Sequence, residues 1–146
     1  MTRTEDVTTP AVVAGHTCID LIPTLPTGTS ALTEVLAPGQ MVQVGTMTVA
    51  NGGVVPNTGL AIRRLGVPVR LVGKVGDDAL GRLTLDLLRR HGDGLADAMV
   101  VDAEVASSYT VILSAPGLDR TFLHNPGAND TFRSEDIPEG TLEGAG

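Results

Sequence analysis

The sequence of 146 residues has few aromatic side chains and an acidic charge balance. Aromatic residues make up 2% of the chain, which disfavours base stacking on an aromatic platform. The formal net charge is -7, whereas a protein that binds the phosphate backbone of a nucleic acid carries a basic surface. We therefore expect no nucleic acid among the partners.

Cysteine and long apolar runs are also scarce. Cys18 has no second cysteine to pair with, and a role as a small buried hydrophobic residue is favoured over a role as a nucleophile. The three histidines lie far apart, without the spacing of a metal site. Residues 1–10 lack the apolar core of a secretory signal, and no later run reaches the roughly 20 apolar residues that span a membrane. These absences predict a cytoplasmic protein without a membrane partner.

Apolar residues make up 42% of the chain, which is enough for a globular domain. Short apolar runs typical of strands alternate with segments of helical periodicity, an order typical of a mostly parallel α/β sheet. The predicted strands are 11–15, 19–22, 41–49, 69–75, 98–101, 108–114 and 121–124, and the predicted helices are 56–65 and 78–90. In this interpretation 1–10 is a flexible N-terminus, 23–39 is a loop, and 133–146 is a polar tail.

The helix predicted at 78–90 has the clearest signals. Four leucines share one of its faces: Leu80, Leu83, Leu87 and Leu88. Asp77 or Asp78 can cap its N-terminus, and Gly92 can end it. This segment should therefore pack one apolar face against the sheet.

A pair of glycines, Gly52 and Gly53, precedes the helix predicted at 56–65. Glycines after a strand let the backbone approach a ligand closely, and the helix just beyond them can direct N–H groups and Asn57 at that ligand. The pair is not a P-loop, because no Gly-Lys-Ser/Thr follows it, and it lacks the Gly-x-Gly-x-x-Gly spacing of a dinucleotide fingerprint. By itself, such a pair is more typical of an ordinary turn.

As a whole, the segment from Asn51 to Gly81 resembles the N-terminal signature of the ribokinase-like (PfkB) carbohydrate kinases. That signature has a glycine pair, an Asn a few residues on, a Gly that ends the helix, and a later Val-Gly-x-Asp-x-x-Gly segment. Val55 stands where a small residue or Pro is usual, and Gly59 where Ser, Thr or Ala is usual. These two differences affect the prediction of the substrate pocket rather than the assignment to the family. The residues that match in order and spacing are Gly52, Gly53, Asn57, Gly66 and the run from Val75 to Gly81.

The resemblance implies that residues 11–132 form the N-terminal, substrate-binding half of such a kinase. The fold would be a partial Rossmann-like, three-layer αβα sheet, and strands near 19–22, 41–49 and 108–114 would form a small β lid that keeps water from the sugar. Lids of two subunits often pair in this family, so we expect the isolated chain to form a homodimer through the lid or to aggregate. Apolar contacts for such pairing could come from Met41, Val44, Met47, Val111 and Leu113.

The resemblance also implies a set of ligands for a small sugar or nucleoside. The family places an Asp shortly after the first strand, where Asp20 stands here, and its carboxylate accepts hydrogen bonds from two neighbouring sugar hydroxyls. Without the family, a solvated loop residue or a turn former would be the favoured interpretation of Asp20. Asn57 would meet another hydroxyl, while Gly52 and Gly53 would supply N–H groups and clearance.

In this family the catalytic loop, with its Gly-Ala-Gly-Asp core, and the site for ATP and Mg²⁺ lie in the C-terminal half. The similar run from Gly127 to Asp130 has Asn129 as its third residue, and no small-residue helix follows it. Its place in the chain fits a strand end that contacts substrate, so Asn129 is a candidate ligand and Asp130 is disfavoured as the base. We expect no catalytic residue in this chain, no cofactor bound to it, and no kinase activity from it alone, with truncation inside the tail 133–146.

The sequence is consistent with two functions. The first is ATP-dependent phosphorylation of a sugar or nucleoside hydroxyl by the complete protein, to which this chain supplies the substrate-binding half and the lid. The second is a non-catalytic sugar-binding or regulatory module. Neither the particular sugar nor the hydroxyl can be read from the sequence.

Overall fold

The computed structural model describes residues 9–145, and its strands and helices follow one another in the predicted order. The predicted flexible N-terminus lies outside the described residues except for Thr9 and Pro10. The elements are β1 (Ala11–Ala14), β2 (Cys18–Pro23), β3 (Met47–Gly52), α1 (Val54–Arg64), β4 (Val69–Val72), β5 (Lys74–Gly76), α2 (Ala79–Arg89), β6 (Val100–Asp102), β7 (Tyr109–Leu113) and β8 (Thr121–Asn125). Short 3-10 turns lie at Leu32–Glu34, Gly127–Thr131 and Ser134–Asp136.

Parallel strand pairs form the central layer, which confirms the predicted α/β class. β1 pairs with β4, and β5 pairs with β6, both in parallel. The prediction of one strand over 69–75 was wrong, because the structure divides it at Gly73 and its two parts pair with different neighbours. A Cβ at Gly73 would lie 3.0 Å from the Thr17 side chain and 3.1 Å from that of Met99, so neighbouring segments approach closely at this point.

The apolar core lies between these strands and the two helices. Val13, Leu71 and Val75 from the strands meet Val55 from α1 and Leu88 from α2. Burial of an aliphatic side chain of this size contributes about 1.5–3 kcal/mol, so these contacts fix both helices on the sheet. In the part of the chain that the structure describes, no helix is long and apolar enough to cross a membrane.

α1 packs closely on β4 at Gly59. A Cβ at this position would overlap the buried side chain of Leu71, so glycine here, in place of the family's usual Ser, Thr or Ala, lets the helix approach the strand. The helix begins at Val54, two residues earlier than predicted, directly after Gly53 at its N-cap. At its other end Gly66 has a φ of 85°, as a glycine at this C-terminal position commonly does.

The Val-Gly-Asp-Asp segment holds the start of α2 against the chain around Ser107. Asp78 is the N-cap, and its carboxylate accepts hydrogen bonds from the backbone N–H groups of Gly81 and Ser107, both at 2.8 Å. Burial by itself would raise the pKa of Asp78, but the hydrogen bonds from Ser107 and Gly81 outweigh it and lower this pKa below its ordinary value. Capping and packing thus give this motif a structural role.

A second, four-stranded sheet has the order β3-β2-β7-β8 and is called the lid below. β2 is antiparallel to β3 and parallel to β7, and β8 is antiparallel to β7. The predicted strand 41–49 was misplaced, since β3 begins at Met47 opposite Pro23 and continues to Gly52. Backbone hydrogen bonds between Thr24 and residues 45 and 46 continue the pairing just past Pro23, and residues 41–44 lie outside the strand. β8 is a fourth lid strand that the sequence did not assign to the lid.

The segment after residue 132 is tied to the parallel strands by buried polar contacts. Lys74 is 6% exposed, and its Nζ lies 2.9 Å from an Asp102 carboxylate oxygen and 3.4 Å from one of Asp136. Arg70 donates to the carbonyl oxygens of Thr141 and Glu143, both at 2.7 Å. A polar sequence without periodicity therefore still docks on the sheet, because its backbone carbonyls and one carboxylate meet two cations.

The ion pairs of Lys74 predict a pH dependence of stability. Hydrogen bonding from Lys74 lowers the pKa of Asp102 below its ordinary value of 3.8, so the stabilisation is present above that pH and is lost as the pH falls through the lowered pKa. Hydrogen bonding to Asp102 also raises the pKa of Lys74 above 10.5, so the same pair weakens only in strong alkali. We expect Lys74→Met to flatten the dependence of the unfolding free energy on pH below about 4.

Urea unfolding at a series of acidic pH values measures this slope. Arg82→Met is the matched control, because it breaks the Arg82–Asp77 pair, whose side chains are 64% and 61% exposed. An exposed pair of this kind contributes little. An identical acid slope in the Lys74 variant and the parent would show that the buried pairs do not carry the pH dependence.

Candidate functional site

Four side chains form one transverse row across the lid. The strand register places Ala50 opposite Asp20, Asp20 opposite Thr110, and Thr110 opposite His124. Residues directly opposite one another in a sheet project to the same face, so this set, called the Asp20 row below, lines one face of the lid. Cys18 stands two residues before Asp20 on β2 and shares that face.

The glycine pair lies against this face, next to the row. Gly52 is opposite Cys18, and a Cβ at Gly52 would overlap the Asp20 carboxylate. Gly53 has a φ of 93°, and a Cβ there would lie 2.6 Å from Nδ1 of His16. The structure thus brings together three predicted site residues, Asp20, Gly52 and Gly53, and the space that the glycines leave is used by the side chains of Asp20 and His16.

Two histidines that the sequence analysis did not select lie beside Asp20. The rings of His16 and His124 have centroids 5.4 Å apart and are tilted by 52°. Burial, and then the proximity of His124, lower the pKa of His16 below 6.5, while Asp20 acts in the opposite direction. His16 is therefore neutral at neutral pH and can both donate and accept a hydrogen bond.

Asn57 lines an open cleft of about 280 Å³ between β3, α1 and the end of α2, and Ala50 of the Asp20 row lines the same cleft. The side chain is exposed. Polar groups of Asn51, Arg64 and His91 share the cleft, and Asn51 Nδ2 donates to the Thr84 carbonyl at 3.2 Å. Asn51 is opposite Ile19, the residue before Asp20 on β2. Asn51 and Asp20 therefore project from opposite faces of the lid. This cleft meets the Asp20 row at Ala50, and its lining does not include Asp20, Gly52 or Gly53.

Asn129 is bound within the protein. Its Oδ1 accepts a hydrogen bond from the Thr17 N–H, and its Nδ2 donates to the carbonyls of Thr17 and Pro126, all at 3.0 Å. Both amide hydrogens are thus used between the turn Gly127–Thr131 and the connection from β1 to β2. The arrangement makes Asn129 a brace for the segment that leads to Asp20.

Metal-ligand geometry and the surroundings of Asp130 bear on where ATP and Mg²⁺ bind. Within residues 9–145, no group of three His, Cys, Asp or Glu side chains is placed to hold a metal ion. Asp130, the acidic residue of the run that resembles the catalytic loop, is exposed in a 3-10 turn rather than at the start of a long helix. Asp130 therefore lacks the helix N-terminus that would stabilise a transferring phosphoryl group beside it.

Comparison with known proteins identifies relatives of both the sequence and the fold. The family described as pfkB family carbohydrate kinase matches residues 8–143. Probable fructokinase-4 of Arabidopsis thaliana is 30% identical over 125 residues, which cover 84% of this chain and 35% of that protein. The fructokinase of Solanum tuberosum is also 30% identical, with the same shares covered. The chain thus spans about a third of the length of these curated relatives.

Solved structures show the same architecture. Ribokinase from Thermotoga maritima aligns with a TM-score of 0.71 at 21% identity, over 94% of this chain and 43% of its own. A ribokinase from Arabidopsis thaliana, solved with ribose and ATP, aligns with a TM-score of 0.66 at 22% identity, over 83% of this chain and 37% of its own. The mixed α/β architecture found here is accordingly a partial ribokinase-like fold, and the chain belongs to the PfkB family of carbohydrate kinases.

Proposed function

We propose that this chain is the sugar-binding part of an ATP-dependent kinase that phosphorylates a sugar or nucleoside hydroxyl. The observation that carries the proposal is the position of Asp20, in the middle of the lid face and beside the glycine pair. Relatives at about 30% identity are fructokinases, and one solved neighbour holds ribose and ATP. The names of these relatives point to sugars, and a carboxylate can accept hydrogen bonds from neighbouring sugar hydroxyls. The proposed substrate class is therefore a furanose or pyranose with neighbouring hydroxyls.

Asp20 supplies the polar part of this recognition. An ionised carboxylate has only acceptors, with several lone pairs, so two adjacent hydroxyls can donate to it at once. The neutral His16 ring beside it can accept from or donate to a third polar group. The lid strands cover the bound sugar and exclude the water that would compete as phosphoryl acceptor.

The other predicted ligands have different roles in this proposal. Gly52 and Gly53 act by leaving room for Asp20 and His16. Asn57 stays a predicted ligand, in a cleft that the Asp20 row borders at Ala50. Asn129 is assigned a bracing role in place of the predicted contact with substrate, because both of its amide hydrogens are donated inside the protein.

ATP and Mg²⁺ enter the proposal through the complete protein. ATP would supply the phosphoryl group, and Mg²⁺ would neutralise the charge of its phosphates. The described residues of this chain hold and cover the sugar in this scheme, and they contribute no base to the transfer.

The lid also remains the proposed surface for a homodimer. Of the side chains predicted to take part, Met41, Val44 and Met47 are 96%, 48% and 46% exposed, whereas Leu113 is 7% exposed. Phe122 on the fourth lid strand is 53% exposed, but the register places it on the lid face of Thr110. Leu123 is 51% exposed and projects to the same face as Met47. Exposed apolar patches of this kind favour association. Sedimentation across a concentration series measures it, and a monomer at every concentration would contradict the proposal.

ADP formation by the complete protein encoded by the gene tests the enzymatic proposal. D-fructose, D-ribose and adenosine are offered separately with ATP and Mg²⁺, and binding of each is measured by calorimetry in parallel. We expect sugar-dependent ADP formation from the complete protein and none from residues 1–146 alone. Binding of a sugar without ADP formation would favour the non-catalytic sugar-binding module, and the absence of any binding would reject both functions.

A further inference from the structure

A directional chain of hydrogen bonds runs across three strands of the lid and ends on Asp20. Thr110 Oγ1 lies 2.9 Å from His124 Nδ1 and 3.7 Å from Cys18 Sγ, and Cys18 Sγ lies 3.4 Å from Asp20 Oδ1. The carboxylate can only accept, so the Cys18 thiol donates to it. A hydroxyl has one hydrogen, and Thr110 uses it toward Cys18, so its oxygen accepts from the N–H of His124.

The surroundings keep each link in its donating form. Burial raises the pKa of the Cys18 thiol to about 11, so the thiol keeps its proton at neutral pH. Cys18 is 4% exposed and Thr110 is 6% exposed, so water competes little for these bonds. Donation from Thr110 to Cys18 selects the His124 tautomer that carries its proton on Nδ1.

We infer that Cys18, Thr110 and His124 are positioning residues that hold the Asp20 carboxylate in the orientation that binds the sugar. Cys18 donates to Oδ1 of Asp20, and the carboxylate fills the space that a Cβ at Gly52 would occupy, so it is held by one hydrogen bond and by close packing. A carboxylate fixed before the sugar arrives loses less conformational freedom on binding. The inference rests on the proposed sugar-binding function of Asp20 and adds three residues to which no role in binding was assigned.

Binding of D-fructose and D-ribose to the complete protein tests the chain through paired substitutions. Thr110→Val keeps the shape of the side chain but removes the hydroxyl, and we expect affinity for the bound sugar to fall about 3- to 10-fold, the range for one ordinary hydrogen bond. Thr110→Ser restores the hydroxyl and should return affinity to within about twofold. Cys18→Ser and Cys18→Ala form a second pair with the same expected contrast. Thermal unfolding of each variant shows whether a loss of affinity accompanies a loss of fold.

A double-mutant cycle separates positioning from a merely structural role. If Thr110 acts through Asp20, Thr110→Val should have no further effect on affinity once Asp20→Ala is present. Full additivity of the two losses would overturn the inference while leaving the sugar-binding role of Asp20 intact. No effect of Asp20→Ala itself would instead reject the proposed function.

The tautomer of His124 gives a readout that needs no sugar. Nitrogen chemical shifts of the ring should show the proton on Nδ1 in the parent protein and a loss of that preference in Thr110→Val. A proton on Nε2 in the parent would mean that Thr110 donates to Nδ1 of His124, which would overturn the proposed chain of hydrogen bonds to Asp20. The Thr110→Ser variant serves as the control, because it keeps the acceptor for the Nδ1 proton.

Discussion

Asp20→Ala is expected to weaken binding of D-fructose or D-ribose to the complete protein by roughly 1.5–3 kcal/mol, about 10- to 150-fold in the dissociation constant. The carboxylate lies in the middle of the lid face and is the charged acceptor of its row, so its removal deletes hydrogen bonds to a charged group. ATP affinity should barely change, because the family resemblance places the ATP site in the C-terminal half of the complete protein. Calorimetric titration of sugar and of ATP measures both quantities.

Asp119→Ala is the matched control for Asp20→Ala. Asp119 is an exposed acidic residue in the connection between β7 and β8, so its loss changes the net charge equally without touching the row. We expect its sugar affinity to stay within about twofold of the parent, as for an exposed residue away from the site. An equal loss of sugar and ATP affinity in Asp20→Ala, or no loss at all, would contradict the assignment of Asp20.

Asn129→Ala is expected to lower the free energy of unfolding by about 2–4 kcal/mol, because buried polar groups left without a partner cost roughly 1–3 kcal/mol each. The amide of Asn129 serves the N–H and the carbonyl of Thr17 and the carbonyl of Pro126. Thr17 is 1% exposed, so water cannot replace these bonds without local opening. Urea unfolding monitored by circular dichroism measures the change.

The neighbouring substitution Asp130→Ala serves as the control for Asn129→Ala. Asp130 is exposed in the same turn, and its replacement should change stability by less than about 0.5 kcal/mol. A variant Asn129→Ala that keeps its stability but loses sugar affinity would show that the bracing role is wrong and that the residue contacts the substrate.

Elements whose ends depend on neighbouring residues could be predicted from the sequence. Asp77 or Asp78 was predicted as the cap, and Asp78 takes that position. The predicted helix 78–90 differs from α2, Ala79–Arg89, by one residue at each end. Gly66 was likewise predicted to end α1. These signals act over three or four residues, so a single sequence contains all of the interacting groups.

Features that depend on strand pairing could not be predicted in the same way. The segment 69–75 is rich in valine and leucine and was predicted as one strand, yet it divides at Gly73 because each half pairs with a different neighbour. The strand predicted at 41–49 begins only at Met47, opposite Pro23, and residues 41–44 lie outside it. Composition reports a tendency toward extended backbone, whereas the limits of a ladder are set by a segment elsewhere in the chain.

The candidate site shows the same contrast between features that the sequence indicates and features that depend on the fold. Asp20 and the glycine pair were found through the resemblance to a family, while His16 and His124 were not, since only the lid register brings His124 near the first connection of the chain. Asn129 was selected as a candidate ligand, but a sequence cannot show that its amide hydrogens are already donated to Thr17 and Pro126. Which hydrogen-bond donors and acceptors are already used inside the protein can be determined only from the folded structure.

A crystal structure of the complete protein with D-fructose or D-ribose bound would test most directly whether the sugar lies on the Asp20 row. We predict two neighbouring sugar hydroxyl oxygens about 2.5–3.0 Å from the Asp20 carboxylate, on the lid face that carries Thr110 and His124. A sugar bound in the cleft of Asn57 and Arg64 instead, with the Asp20 carboxylate making no contact to it, would contradict the proposed site.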